Sequence, residues 1–199
     1  MIPAGYLLKR VVPPPGWLSA APITDVCSVS DCVNDNVVEV QNTWRHNGFG
    51  LANSPTWLWS QAALGEAVPG EVTLFYYEAY EQEIESDGWT FDAAEWRPLS
   101  QAPSAGVVTE VSPPVPPLRA KLIGYDVVVF EEFLEHSPLS CNQIADAVQV
   151  NEHCLFESLE AAKSAVDGGA FGGGCEPGVY RIFSVSVVTS TAGLGLSPP

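Results

Sequence analysis

Val72-Thr73-Leu74-Phe75-Tyr76-Tyr77-Glu78-Ala79-Tyr80-Glu81-Gln82-Glu83-Ile84 is the stretch on which the fold turns. Aromatic and branched residues alternate along it with a period of two, which predicts a long strand. Val72, Leu74, Tyr76, Tyr80 and Ile84 fall on one face. Phe75, Tyr77 and Ala79 occupy the other, which continues as Glu81, Glu83 and Glu85. Both faces begin apolar and one ends acidic, so the strand is expected to leave the core as it runs.

Outward from this strand the chain alternates between short regular elements and breakers. Upstream, Tyr6 to Val12 reads as an opening strand stopped by Pro13-Pro14-Pro15-Gly16, because proline cannot join a ladder. Trp17 and Leu18 are expected to anchor the chain back onto the core. Residues 23–44 do not separate into helix or strand. Ser54-Pro55 pairs an N-cap with a proline at the first helical position, which predicts a helix ending near Gly65.

Downstream, residues 98–117 carry Pro98, Pro103, Pro113, Pro114, Pro116 and Pro117 and read as a semi-rigid connector. Leu122 to Phe130 is a second strand, since Val127-Val128-Val129-Phe130 is too short and too β-branched for a helix. Ser137-Pro138 predicts a helix through about Ala147. Ser158 predicts another, with Leu159, Ala162 and Val166 on one face and Gly168-Gly169 at its end. Val179 to Val188 is the last strand.

That order suits an α+β fold better than a doubly wound sheet. It predicts two small lobes of short antiparallel or mixed strands with capped helices. The lobes are residues 1–97 and 118–189, joined by the connector at 98–117 and followed by a loose tail at 190–199.

The charge narrows the possible partners. Lys and Arg total 8 against 24 Asp and Glu in 199 residues, a formal net charge of −16. Such a surface repels phosphate backbones and anionic membranes, so neither nucleic acid nor membrane is an expected partner. It favours solubility or capture of a basic protein. No stretch approaches the ~20 apolar residues of a membrane span. Lys9-Arg10 follows the leucines, the wrong order for a secretory signal, and Cys27, Cys32, Cys141, Cys154 and Cys175 are odd in number. A cytoplasmic address with reduced thiols is the expectation.

Several residue groups are candidates for chemistry. Cys27-x4-Cys32 is wider than a zinc knuckle, and His153 and Cys154 would point to opposite faces of a strand, so no metal site and no cofactor are expected. Cys141 lies in the first turn of the helix opened by Ser137-Pro138, where free amides lower a thiol pKa. With His153 as base and Asn142 as orienter it has the cast of a cysteine-dependent enzyme, without a glycine-rich oxyanion element. Glu131, Glu132 and Glu135 read as a solvated loop. The glycines at 168–169 and 172–174 lack the setting that phosphate binding needs. His46 sits in an aromatic-rich turn that packs more simply than it binds.

The densest feature is acidic and aromatic together. Glu81, Glu83, Glu85, Asp87, Asp92 and Glu95 are interleaved with Trp89, Phe91 and Trp96, and Arg97 is the nearest basic residue. Aromatics anchor interfaces and carboxylates steer basic partners, so Glu81, Glu83, Glu85, Asp87, Trp89, Asp92 and Glu95 form the expected binding surface.

Pro3-Ala4-Gly5-Tyr6, Cys27-Ser28-Val29-Ser30-Asp31-Cys32 and Trp44-Arg45-His46-Asn47-Gly48 resemble the first half of a set of bacterial proteins with no established activity. Ser137-Pro138-Leu139-Ser140-Cys141-Asn142, Asn151-Glu152-His153-Cys154-Leu155 and Glu176-Pro177-Gly178-Val179-Tyr180-Arg181-Ile182-Phe183 resemble their second half. In size and acidity the chain is similar to cytoplasmic immunity proteins that neutralise bacterial toxins. The leading expectation is therefore a non-enzymatic acidic protein that masks a basic toxin. The alternatives are the enzyme built on Cys141 and His153, and a structural domain acidic only for solubility.

Overall fold

A computed structural model describes residues 1–29, 72–87, 95–99, 115–130 and 135–189. The helix expected from Ser54, the turn around His46, Cys32, Trp89, Asp92, Glu131, Glu132, most of the connector and the tail lie outside the described residues.

Among the described residues six strands share one sheet: β1 (Ile2–Lys9), β2 (Thr73–Ser86), β3 (Arg97–Pro98), β4 (Ala120–Phe130), β5 (Glu135–His136) and β6 (Gly178–Val188). Their order is β1-β2-β6-β4-β5, with β3 beside the far end of β2. Every described pairing is antiparallel. Among the described residues the helices are few and short: α1 (Pro138–Cys141) and α2 (Leu159–Asp167), with a 3-10 turn at Ile144–Asp146.

The α+β class holds, and the expected division into lobes gives way to a shared sheet. β6, last in the chain, lies between β2 from before the connector and β4 from after it. Its sequence is apolar on both faces, with Tyr180 and Ile182 on one and Phe183 and Val185 on the other, all buried. A strand buried on both faces belongs in the middle of a sheet.

One face of the sheet packs under the helices. There Ile84, Val127, Val129, Tyr180 and Ile182 meet Leu139 of α1, Ala162 and Val166 of α2, and Phe156 and Phe171 of the loops. The opposite face gathers Phe75, Tyr77, Ala79, Val128, Phe130, Phe183 and Val185 with Ala4 and Leu7. This second face also carries charge. Lys9, Glu83, Asp126 and Arg181 are all buried, at 0–2% exposure.

The local elements follow the sequence with informative exceptions. β1 begins earlier than expected because it is an edge strand, where Pro3 needs no ladder partner on its outer side. Leu18 anchors in the core, whereas Trp17 stays 45% exposed. Ser158 caps α2 as expected, accepting a bond from Ala161 N–H at 3.1 Å. Ser137 stands at the N-cap of α1 as expected, but without a side-chain capping bond. Its hydroxyl donates instead to Asp126 at 2.6 Å, and the expected helix through Ala147 breaks after one turn, with Gln143 in the left-handed region.

Candidate functional site

The functional candidates collect where two distant segments run beside the outer edge of β4. Tyr125 exchanges both backbone hydrogen bonds with Phe156, at 2.9 and 2.8 Å. This bridge holds the loop 151–155 against the strand. Gly124 permits it, because a Cβ there would stand 2.7 Å from the Leu155 Cβ, at a backbone φ of +152°. Asn151 organises the loop from inside. Its Nδ2 donates to the Ile123 carbonyl at 2.7 Å, and its Oδ1 accepts from the amides of His153 and Leu155 at 3.0 and 3.1 Å. Cys154 takes a left-handed conformation, φ 60°, that most side chains avoid.

Residues 24–27 are zipped onto this loop. Thr24 N–H and Asp25 N–H both donate to the Glu152 carbonyl, at 2.8 and 3.2 Å, and Cys27 N–H donates to the His153 carbonyl at 3.1 Å. The backbone pairing brings three side chains together. Asp25 Oδ1 lies 2.8 Å from His153 Nδ1 and accepts from the Cys27 thiol at 3.2 Å. The other imidazole nitrogen, Nε2, faces the Glu152 carboxylate at 3.9 Å. Asp25 and His153 are partly exposed, with side chains at 22% and 26%, while Cys27 is buried.

As a nucleophilic site the arrangement is in the wrong order. The carboxylate sits between thiol and imidazole, so the imidazole is not the group that meets the sulfur. Burial, with Asp25 adding to it, pushes the Cys27 thiol far above its ordinary value. Burial likewise pushes Cys154 up to about 12 and Cys175 up to about 11. A thiol shifted this way favours its protonated form at neutral pH.

The trio expected from the sequence is not assembled around Cys141. The His153 ring contacts are Asp25 and Glu152. The Asn142 amide donates to the Gly174 carbonyl at 3.1 Å and to Glu176 at 3.3 Å. Cys141 itself packs at the edge of the helix-side core.

The expected acidic surface is divided by the fold. Glu83 is fully buried, which corrects its placement among the exposed carboxylates. It lies opposite Arg181 on β6 and accepts from Arg181 Nε at 2.9 Å and from Arg97 Nε at 3.1 Å. Arg97 reaches on to Glu85 at 2.6 Å. Glu81, Asp87 and Glu95 are exposed. The nearby aromatics are occupied too. Trp96 meets Tyr80 edge to face at 5.7 Å, and Lys163 stands over both rings, at 3.8 Å from the Trp96 centroid and 4.5 Å from that of Tyr80.

Sequence reasoning missed Asp25 and Arg181. Neither has a local signal, because each acts on a partner about a hundred residues away (His153 for Asp25, Glu83 for Arg181). Among the described residues no helix is long and apolar enough to cross a membrane. Comparison with protein-family models, with curated proteins and with solved structures gives no match to this chain.

Proposed function

We propose that this protein is a non-enzymatic, acidic binding protein that captures a basic protein through exposed carboxylates at the β2–β3 end of the sheet. The observation that carries this reading is the net charge of −16. Glu81, Asp87 and Glu95 are exposed there, beside the Lys163–Trp96–Tyr80 stack. Clustered charge on a fixed scaffold speeds encounter with a partner of opposite sign and screens out others. His153 paired with Asp25, and the Asn142 amide bonded to Gly174 and Glu176, favour this reading over an enzyme built on Cys141.

The form we favour is an immunity-type protein that neutralises a basic bacterial toxin in the cytoplasm. Its support is the resemblance in size and acidity, together with Cys27, Cys141, Cys154 and Cys175 being free thiols, as a reducing compartment requires.

The test is capture from native lysate on the immobilised protein, followed by a salt titration. A basic protein is expected to be retained at low salt and released as salt rises. A Glu81→Lys/Asp87→Lys/Glu95→Lys variant is expected to lose it. A control with the same charge change on the α2 side, Glu157→Lys/Glu160→Lys/Asp146→Lys, is expected to keep most of it. Equal loss in both variants would reduce the acidity to bulk electrostatics, and no retained basic protein would remove the reading.

A further inference from the structure

From the convergence of Asp25, Cys27 and His153 we infer a mononuclear metal site, with Zn²⁺ as the ion it suits and a fourth position open to solvent. One carboxylate oxygen, one sulfur and one imidazole nitrogen lie within 4.8 Å of one another. Tetrahedral zinc, with bonds of about 2.0–2.3 Å, sets its donors about 3.3–3.7 Å apart. Two of the spacings, 2.8 Å (Oδ1 to Nδ1) and 3.2 Å (Oδ1 to Sγ), need to open by only a few tenths of an ångström, and the third, Nδ1 to Sγ, lies within 4.8 Å. The donor set, one thiolate with one imidazole and one carboxylate, suits zinc better than the all-oxygen cations.

The backbone holds these donors in place independently of any ion. Residues 24–27 hydrogen-bond to the Glu152 and His153 carbonyls, and Asn151 clamps the His153 amide. The two parts of the site are 128 residues apart in sequence, so the fold rather than local geometry brings them together. Outer contacts are present as well. Thr24 Oγ1 donates to the second carboxylate oxygen, Oδ2, at 3.4 Å, and Glu152 faces His153 Nε2 at 3.9 Å. A metal-ligating histidine ordinarily turns its other nitrogen to such a carboxylate.

The exchange on binding is simple to write. In the metal-free site, with His153 as the Nδ1–H tautomer, that hydrogen and the Cys27 thiol hydrogen both point at Asp25 Oδ1. Zinc takes their place. The thiol proton leaves to solvent, and the imidazole proton resides on Nε2, toward Glu152. Three protein donors and partial exposure leave room for a water, or for a donor atom from a bound partner.

The experiment uses the full chain, reduced and stripped with chelator, titrated with Co²⁺ as a spectroscopic stand-in for zinc. A thiolate-to-cobalt charge-transfer band is expected, saturating at equimolar metal and bleached by added Zn²⁺. Cys27→Ser is expected to abolish the band, and Cys141→Ser to leave it unchanged. Because Cys27 is buried and its replacement can disturb folding, His153→Ala at the partly exposed ligand is the second variant. It is expected to weaken zinc binding by at least about 100-fold with an unchanged far-ultraviolet spectrum, and Glu152→Gln by about 10-fold. Absence of the band in the unmodified protein would overturn the site. So would a band that survives Cys27→Ser, or zinc affinity unmoved in His153→Ala. None of these readouts depends on whether a basic protein is captured.

Discussion

Glu83 and Asp126 are both fully buried on the same face of one sheet, yet they are held by opposite means. Glu83 is clamped between guanidinium groups, with Arg181 Nε at 2.9 Å and Arg97 Nε at 3.1 Å. Arg181 in turn lies over the Phe130 ring, 4.9 Å from its centroid. Asp126 relies on neutral donors: Ser137 Oγ at 2.6 Å and Val29 N–H at 2.7 Å. The cation that favours its charged form is Lys9, whose ammonium donates to the Ser28 carbonyl. Burial outweighs these contacts and pushes Asp126 up to about 6. A buried carboxylate is thus part of a fixed ion pair at one site and a titrating group at the other. What separates them is the identity of the nearest donors, since burial is the same.

The largest expected effect comes from breaking the ion pair. Arg181→Met leaves Glu83 buried against Arg97 alone and is expected to cost about 3–5 kcal/mol in urea unfolding. Glu83→Met combined with Arg181→Met removes both charges and is expected to recover most of that loss. A double variant as unstable as the single would show that packing, rather than charge, holds this end of the sheet.

Asp126 answers to pH instead. Its ordinary value of 3.8 applies to the unfolded chain and about 6 to the folded one. Between those values the folded state binds more protons than the unfolded state. Its contribution is therefore fully present below about pH 4, is lost as pH rises through about 6, and is flat above that. Asp126→Asn, which stays neutral throughout, is expected to gain on the wild type by about 2–3 kcal/mol between pH 4 and pH 8. Unfolding midpoints across that range measure it, and a constant difference would contradict the assignment. Lys9→Met removes the favourable ammonium and is expected to move the window to higher pH. The smallest effect belongs to Arg97→Ala. Its side chain is 43% exposed, so the loss is expected to be about 1 kcal/mol or less by the same unfolding assay.

The same contrast marks how far the sequence could be read. Strands β2, β4 and β6 were legible because alternating β-branched and aromatic residues leave few other structures open, and Ser158 was legible as a cap because its partner is three residues away. Partners distant in sequence were not. Glu83 read as the solvated end of a strand, and only the β2–β6 register sets it opposite Arg181. Ser137 read as a helix cap, and only the approach of Asp126 diverts its hydroxyl. Cys27 invited comparison with Cys32, four residues further on, whereas its bonded neighbour is Asp25 and its third companion is His153. His153 and Cys154 were placed on opposite faces of a strand. They lie in a clamped turn whose left-handed residue carries no local signature.

On the proposed reading the carboxylates divide their roles: buried Glu83 ties β2 to β6 and β3, while exposed Glu81, Asp87 and Glu95 meet a basic partner. Its most direct test measures unfolding midpoint and affinity for the captured basic protein side by side, in Glu83→Gln and in Glu81→Gln/Asp87→Gln/Glu95→Gln. The account predicts a crossed result: Glu83→Gln lowers the midpoint and keeps the affinity, while the triple variant keeps the midpoint and loses affinity about 10-fold or more. A triple variant that binds as tightly as the unmodified protein would contradict it.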